Sequence, residues 1–295
     1  MNKLITFSLG TLAMTTALSA LAQALPTTDV WLVGIENGMP GNPVKISDGS
    51  GYNNQPHFSA DGSIIYYTRE MPGDTATQTD IAAFQINASA TSMLTHTPES
   101  EYSPTPIPGR EALSFIQADL EQTQLLCSID LLNSEMKVLF PNIEPVGYHA
   151  WFSDTEVAMF ILGESFTLQT AKLNSAGAQL AADNIGRTLR KLPQTGEVLF
   201  VDKNSDPWEI AAFNPKSRTI TSVVPLFPGG EDFTIDSNGV YWTGNGGKLY
   251  KRTPGSGRWN LVADFRGYGI NQISRLAIHL ESGQLALVSN HPITN

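Results

Sequence analysis

Pro56-His57-Phe58-Ser59-Ala60-Asp61-Gly62-Ser63-Ile64-Ile65-Tyr66-Tyr67 couples a tight turn to a short run of β-branched and aromatic residues. Asp-Gly is a turn dipeptide, because Gly accepts the positive φ that the tightest reversals need. The run after it is bounded by turn formers and reads as a buried strand. Outward from this stretch the same unit recurs. Pro108-Gly109 precedes Ala112 to Ile116, Asp154 precedes Val157 to Phe160, and Gly196 precedes Val198 to Val201. Gly239 precedes Val240 to Trp242, and Gly283 precedes Leu285 to Val288. The intervals between turn residues are 47, 45, 42, 43 and 44, a mean of 44.2.

Two further strand-like segments follow each of the first five hairpins. The third strands are expected at Asp80 to Asn87, Leu125 to Leu131, Phe166 to Leu173, Trp208 to Asn214 and Lys248 to Thr253. The fourth are expected at Ser92 to His96, Met136 to Pro141, Ala178 to Asp183, Arg218 to Val224 and Arg258 to Asp264. Four strands per period of 44 residues is the arithmetic of a β-propeller blade, and the chain holds six periods. The sixth hairpin, Arg275 to Ser289, lacks outer strands, while Asp29 to Ile35 and Pro43 to Ser47 are strand candidates without a hairpin. Pairing the two completes the last blade and removes the open edges of the ring. The fold class is therefore all-β: a six-bladed β-propeller with four-stranded blades, the last closed by N-terminal strands.

Residues 1–24 read as an export signal. Lys3 starts it, an apolar run to about Leu21 follows, and Ala22-Gln23-Ala24 supplies the small-x-small pattern of a cleavage site before Leu25. Its Thr and Ser content and modest length argue against an uncleaved anchor. Residues 25–295 then form a single propeller domain, periplasmic or secreted, with no membrane span after cleavage. The net charge of −10 argues against nucleic-acid partners. One cysteine, Cys127, excludes an internal disulfide and Cys-rich metal sites, and its mid-strand place suits a buried thiol.

Pro56-x-Phe58-Ser59-x-Asp61-Gly62-x-x-Ile65-x-Tyr67 resembles the WD40-like (PD40) repeat of TolB-type periplasmic propellers, with Ala60 in place of the usual Pro. Glu101-Tyr102-Ser103-Pro104, Val146 to Trp151, Ile185-Gly186-Arg187, Glu231-Asp232 and Arg275-Leu276-Ala277 also look like exported TolB-like propellers. The resemblance implies the propeller fold. The first strand begins near Asp29, without the α/β domain that precedes the TolB propeller, so the resemblance does not carry the Tol–Pal envelope role.

Loops at one end of such a ring carry binding residues on a rigid scaffold. Counting back from the turns places Asn54, Glu101, Tyr148, His149, Arg187, Glu231, Asp232 and Arg275 around one mouth of the central channel. A symmetric fold with a different polar residue in each blade there suits an asymmetric ligand. The competing structural reading pairs Glu101 with Arg187 and Glu231 with Arg275. Tyr102, Tyr148 and Tyr268 are expected near the mouth, where with Arg187 or Arg275 they would stack on a sugar or hold a carboxylate. Acidic loops at Glu70, Asp74, Asp119, Glu121, Glu164 and Asp206 frame it. All five tryptophans, Trp31, Trp151, Trp208, Trp242 and Trp259, are expected to pack between blades.

Catalytic motifs are sparse. There is no G-x-S-x-G elbow and no HxH or HExxH spacing, and Gly244-x-Gly246-Gly247 lies between strands. A metal set drawn from His57, His149, Glu101, Glu231 and Asp232 is opposed by the two arginines in the same ring, and His57 suits a core histidine better. The favoured reading is a non-catalytic module with no cofactor that binds a protein, peptide or carbohydrate at one mouth. The alternative is a metal-dependent propeller enzyme (hydrolase, lactonase or lyase) with a channel-bound divalent cation and a small polar substrate.

Overall fold

The computed structural model describes residues 25–48, 50–72, 77–192 and 194–291, and the expected leader at 1–24 lies outside them. The chain opens with β1 (Thr28–Glu36), with β2 (Met39–Pro40) and β3 (Val44–Lys45) paired to it. Blade one is β4 (Asn53–Phe58), β5 (Ile64–Met71), β6 (Gln78–Gln85) and β7 (Ala90–Met93). Blade two is β8 (Ser100–Pro106), β9 (Ala112–Ala118), β10 (Gln124–Asp130) and β11 (Met136–Val138). Blade three is β12 (Val146–Trp151), β13 (Glu156–Ile161), β14 (Thr167–Lys172) and β15 (Gln179–Ala182). Blade four is β16 (Ile185–Lys191), β17 (Val198–Asp202), β18 (Glu209–Phe213) and β19 (Ile220–Pro225). Blade five is β20 (Phe233–Ile235), β21 (Tyr241–Asn245), β22 (Lys248–Arg252) and β23 (Asn260–Asp264). The final hairpin, β24 (Ile273–Ile278) and β25 (Gln284–Asn290), completes blade six with β1. That closing ladder runs antiparallel from Thr28 opposite Asn290 to Gly34 opposite Gln284. The protein is an all-β propeller of six blades.

The opening motif shows why its residues specify a turn. Asp61 accepts hydrogen bonds from the Ser59 hydroxyl at 2.6 Å and the Ser63 N–H at 3.1 Å. Ser59 Oγ accepts from Ile64 N–H at 3.0 Å, and Gly62 takes φ +71°. These bonds hold the Asp61 carboxyl down at about 2. Phe58 turns inward against His279 of blade six, with ring centroids 5.8 Å apart.

Alternation along each strand sends one set of side chains to each neighbouring blade. The core is accordingly divided into six clusters, one per junction. Tyr66, Ile81, Phe115 and Cys127 join blades one and two, and Ile116, Leu126, Trp151 and Met159 join two and three. Val30, Ile65, Tyr67 and Val288 fill the closing junction. Some expected fourth strands are shorter or displaced. β11 stops at Val138 because the chain then turns inward to bury Phe140 between blades two and three. Trp151 and Trp242 are buried as expected, and Trp31 and Trp259 are half-buried. Trp208 departs from that expectation: it is exposed on a loop, because β18 starts only at Glu209. Among the described residues, no helix is long and apolar enough to cross a membrane.

Candidate functional site at the channel mouth

The first strands β4, β8, β12, β16, β20 and β24 surround the axis, and all but β20 carry a register irregularity. In β4 three residue steps, Asn54 to His57, oppose two on β5, and Gln55 sits at φ +55°. In β8 the extra residue falls between Tyr102 and Thr105, with Ser103 at φ +56°. In β16 four steps, Ile185 to Leu189, oppose two. A bulge re-aims every side chain beyond it. Gln55, His57, Ser103, Thr105, Tyr148, His149, Arg187, Thr188, Arg190, Asp232 and Arg275 therefore share one cavity on the axis.

Asp232, at the start of blade five, organises this cavity. It accepts from the Leu276 N–H at 2.9 Å and the Thr188 hydroxyl at 3.0 Å. Arg190 lies 3.5 Å and Arg275 3.6 Å from its oxygens, ion-pair separations longer than good hydrogen bonds. Arg190 also donates to the Leu276 carbonyl at 2.7 Å. Arg275 crosses the channel from blade six to blade three, donating to the Tyr148 hydroxyl at 2.7 Å. Its guanidinium stands 5.1 Å from the Tyr148 ring centroid. Glu231 is also shared: Lys203 lies 2.7 Å away and Arg187 4.0 Å away. Burial opposes ionisation of Glu231, but the Lys203 hydrogen bond and the Arg187 charge prevail and hold its carboxyl below the usual range. Four cations thus face two carboxylates.

Among the described residues, buried polar atoms without a partner concentrate here, six of ten. His57 Nδ1, Ser103 Oγ, His149 Nδ1, Arg187 Nε, Arg190 Nε and Arg275 Nη1 are buried without a hydrogen-bond partner. Burial pushes both His57 and His149 down to about 3, so each is a neutral imidazole at neutral pH. His149 meets the Ser114 hydroxyl at 2.7 Å, and the Trp151 indole donates to the same oxygen at 2.8 Å. The arginines leave a volume of only about 40 Å³, room for about three waters. At the outer end the Arg187 side chain is 37 % exposed. Beside it, a groove of about 480 Å³ runs along Asp206, Trp208, Phe227 and Glu231.

Of the expected mouth residues, Tyr148, His149, Arg187, Asp232 and Arg275 line the cavity, and Glu231 adjoins it in the groove. Asn54 is buried with its side chain against the Gln55 N–H, and it does not line the cavity. Glu101 is fully buried between blades one and two, accepting from Thr97 and Thr95 beside Asp80. The pairing of Glu101 with Arg187 does not form, and Arg275 pairs with Asp232 rather than Glu231. Tyr102 packs against the core, and exposed Tyr268 donates to Asn42 at 2.6 Å. Glu70 is tied to the Tyr52 N–H at 2.8 Å, and Asp74 lies outside the described residues. Arg190, Thr188 and Gln55 were not anticipated; the signal for Arg190 was its three-residue spacing from Arg187, which the β16 bulge turns toward the same axis. Gly244 to Gly247 forms the β21–β22 hairpin. Cys127 is buried, its thiol pushed up to about 12, which makes it unreactive at neutral pH.

No family model matches the sequence, and no curated protein matches it. Solved structures do. A putative TolB from Agrobacterium tumefaciens superposes with a TM-score of 0.71 at 8 % identity, covering 91 % of this chain and 99 % of that one. TolB from Acinetobacter baumannii gives 0.59 at 12 %, covering 90 % of this chain and 65 % of that one. An oligogalacturonate lyase in complex with manganese gives 0.57 at 12 %, covering 85 % and 80 %. Identities this low speak for architecture alone. In fold, the chain is a TolB-like six-bladed β-propeller.

Proposed function

We propose that the protein is an exported, non-catalytic binding module that engages a protein, peptide or carbohydrate at the channel mouth, with Arg187, Glu231 and Arg275 as contact residues. The observation that carries this reading is the cation-rich polar cluster, unevenly satisfied and open at one end through Arg187. Buried polar groups are ordinarily satisfied, and a concentration of exceptions in one cavity suits a place that a ligand completes. The rigid blades behind it keep the geometry preformed, which lowers the ordering cost of binding.

The test is a peptide-display library and a glycan array probed with the wild type and with Arg187→Ala. Ligands captured by the wild type are expected to weaken about tenfold or more in the variant, about 1.4 kcal/mol. Equal capture by both proteins overturns the assignment. Export has its own check: N-terminal sequencing of periplasmic material is expected to begin at Leu25, and a chain retaining Met1 contradicts it.

One structural neighbour binds manganese, and a channel-bound divalent cation would be the basis of an enzymatic reading. The residues here do not fit one. Among the described residues no three His, Cys, Asp or Glu side chains gather as a cation site. The two channel carboxylates are already shared among Arg187, Arg190, Arg275 and Lys203. A divalent ion would have to displace those cations.

A further inference from the structure

We propose that the group received by the channel is a single carboxylate carried on a peptide, entering beside Arg187 and taking the Tyr148 hydroxyl's place on Arg275. This rests on the binding reading above and names its ligand chemistry. Charge comes first. Arg190 and Arg275 share Asp232, while Arg187 and Lys203 share Glu231, so each carboxylate is outnumbered by cations. A buried guanidinium without a full counter-charge is costly, and an incoming anion supplies the missing charge.

Size is compatible with a small anion: about 40 Å³, room for about three waters, admits the three heavy atoms of a carboxylate. Geometry supplies the displaced group. Tyr148 offers Arg275 a neutral phenolic oxygen at 2.7 Å across the channel. A carboxylate oxygen in that position is the stronger partner, because ionised acceptors make shorter and stronger bonds with guanidinium.

The surroundings select the body of the ligand. Asp119, Glu121, Glu164 and Asp206 stand on the loops between second and third strands, on the face where the first strands begin. A polyanion would meet repulsion from this rim, whereas one carboxylate on a neutral or cationic chain would not. The adjoining groove offers Trp208 and Phe227 as apolar surface and Asp206 as a partner for a basic side chain. A basic peptide terminus matches both zones.

The experiment compares N-acetyl-lysine as free acid, the same compound as its amide, inorganic phosphate and a trimeric uronic acid, at equal ionic strength and pH 7, by thermal shift and calorimetry. The free acid is expected to raise Tm by about 2–4 °C at tenfold excess over its Kd. The amide, phosphate and the trimer are expected to bind at least about tenfold more weakly. Arg187→Gln is expected to keep its Tm and lose the response, while Tyr148→Phe binds the acid at least as tightly. Equal responses to acid and amide, stronger binding of phosphate or the trimer, no response to the acid, or loss of binding in Tyr148→Phe each overturns the carboxylate assignment. If array ligands still depend on Arg187 in such a case, the mouth reading stands without it. If no ligand depends on Arg187, both fall.

Discussion

Glu101 is a carboxyl with no exposed surface, set against Asp80 and reached by the hydroxyls of Thr95 and Thr97. Burial, reinforced by Asp80, pushes it up to about 8 from an ordinary 4.5. Between those pH values the folded protein keeps a proton that the unfolded chain releases, so the contribution of Glu101 is most favourable below 4.5 and declines as pH rises toward 8. The loss is on the order of a few kcal/mol. Glu101→Gln removes this dependence. Unfolding the wild type and the variant in urea across pH 4.5 to 8 is expected to show the variant gaining relative stability as pH rises. The contributions of His57 and His149 cancel in that difference. A pH-independent difference would mean that Glu101 is ionised throughout. Asp232 is the opposite case, a charge that several groups require. Asp232→Ala leaves Arg190 and Arg275 uncompensated and strips acceptors from Thr188 and Leu276, and is expected to cost about 3–5 kcal/mol in the same measurement.

Among the elements, turns were legible in the sequence and first strands were not. Asp61-Gly62 announces its own geometry because its side-chain bonds are local and φ +71° requires glycine. The turn also carries tertiary information: a Cβ on Gly62 would lie 2.5 Å from the His279 ring, whereas one on Gly109, at φ +70°, meets nothing within 4 Å. Both Gly→Ala variants therefore pay the backbone penalty, about 1 kcal/mol, and Gly62→Ala is expected to lose about 1–3 kcal/mol more from the clash. Equal losses by thermal unfolding would contradict the close packing at that junction. The bulges are different. Gln55 and Ser103 adopt positive φ without being Gly, Asn or Asp, so nothing in their identity marks the extra residue. Counting back from the turns consequently places Asn54 and Glu101 at the mouth, whereas in those two blades Gln55 and Ser103 line the cavity, and in blade four Arg190 joins Arg187 there. Blade five has no bulge in its first strand, and Asp232, just before that strand, lines the cavity.

For the whole molecule, the six-fold count and the closure were legible because both follow from periodicity: a last hairpin without partners, and N-terminal strands without a hairpin. The closing β1–β25 ladder brings Val30 into the core between blades six and one and Val33 into the core between five and six, so these junctions depend on residues from both ends of the described chain. Deleting Asp29 to Ser47 is expected to abolish the cooperative thermal transition. Native-like melting of that variant would disprove closure as the source of stability. The charge of the molecule has an organisation that composition alone does not show. A chain of net charge −10 concentrates three arginines on its axis and carries acidic residues on loops of the face where its first strands begin. The central claim is that this axis, at its Arg187 end, is where a partner binds. Calorimetric titration of an array-selected ligand against the wild type and Arg187→Gln tests it most directly. An affinity at least about tenfold weaker in the variant, with unchanged Tm, is the predicted result. Equal affinity for the two proteins would contradict it.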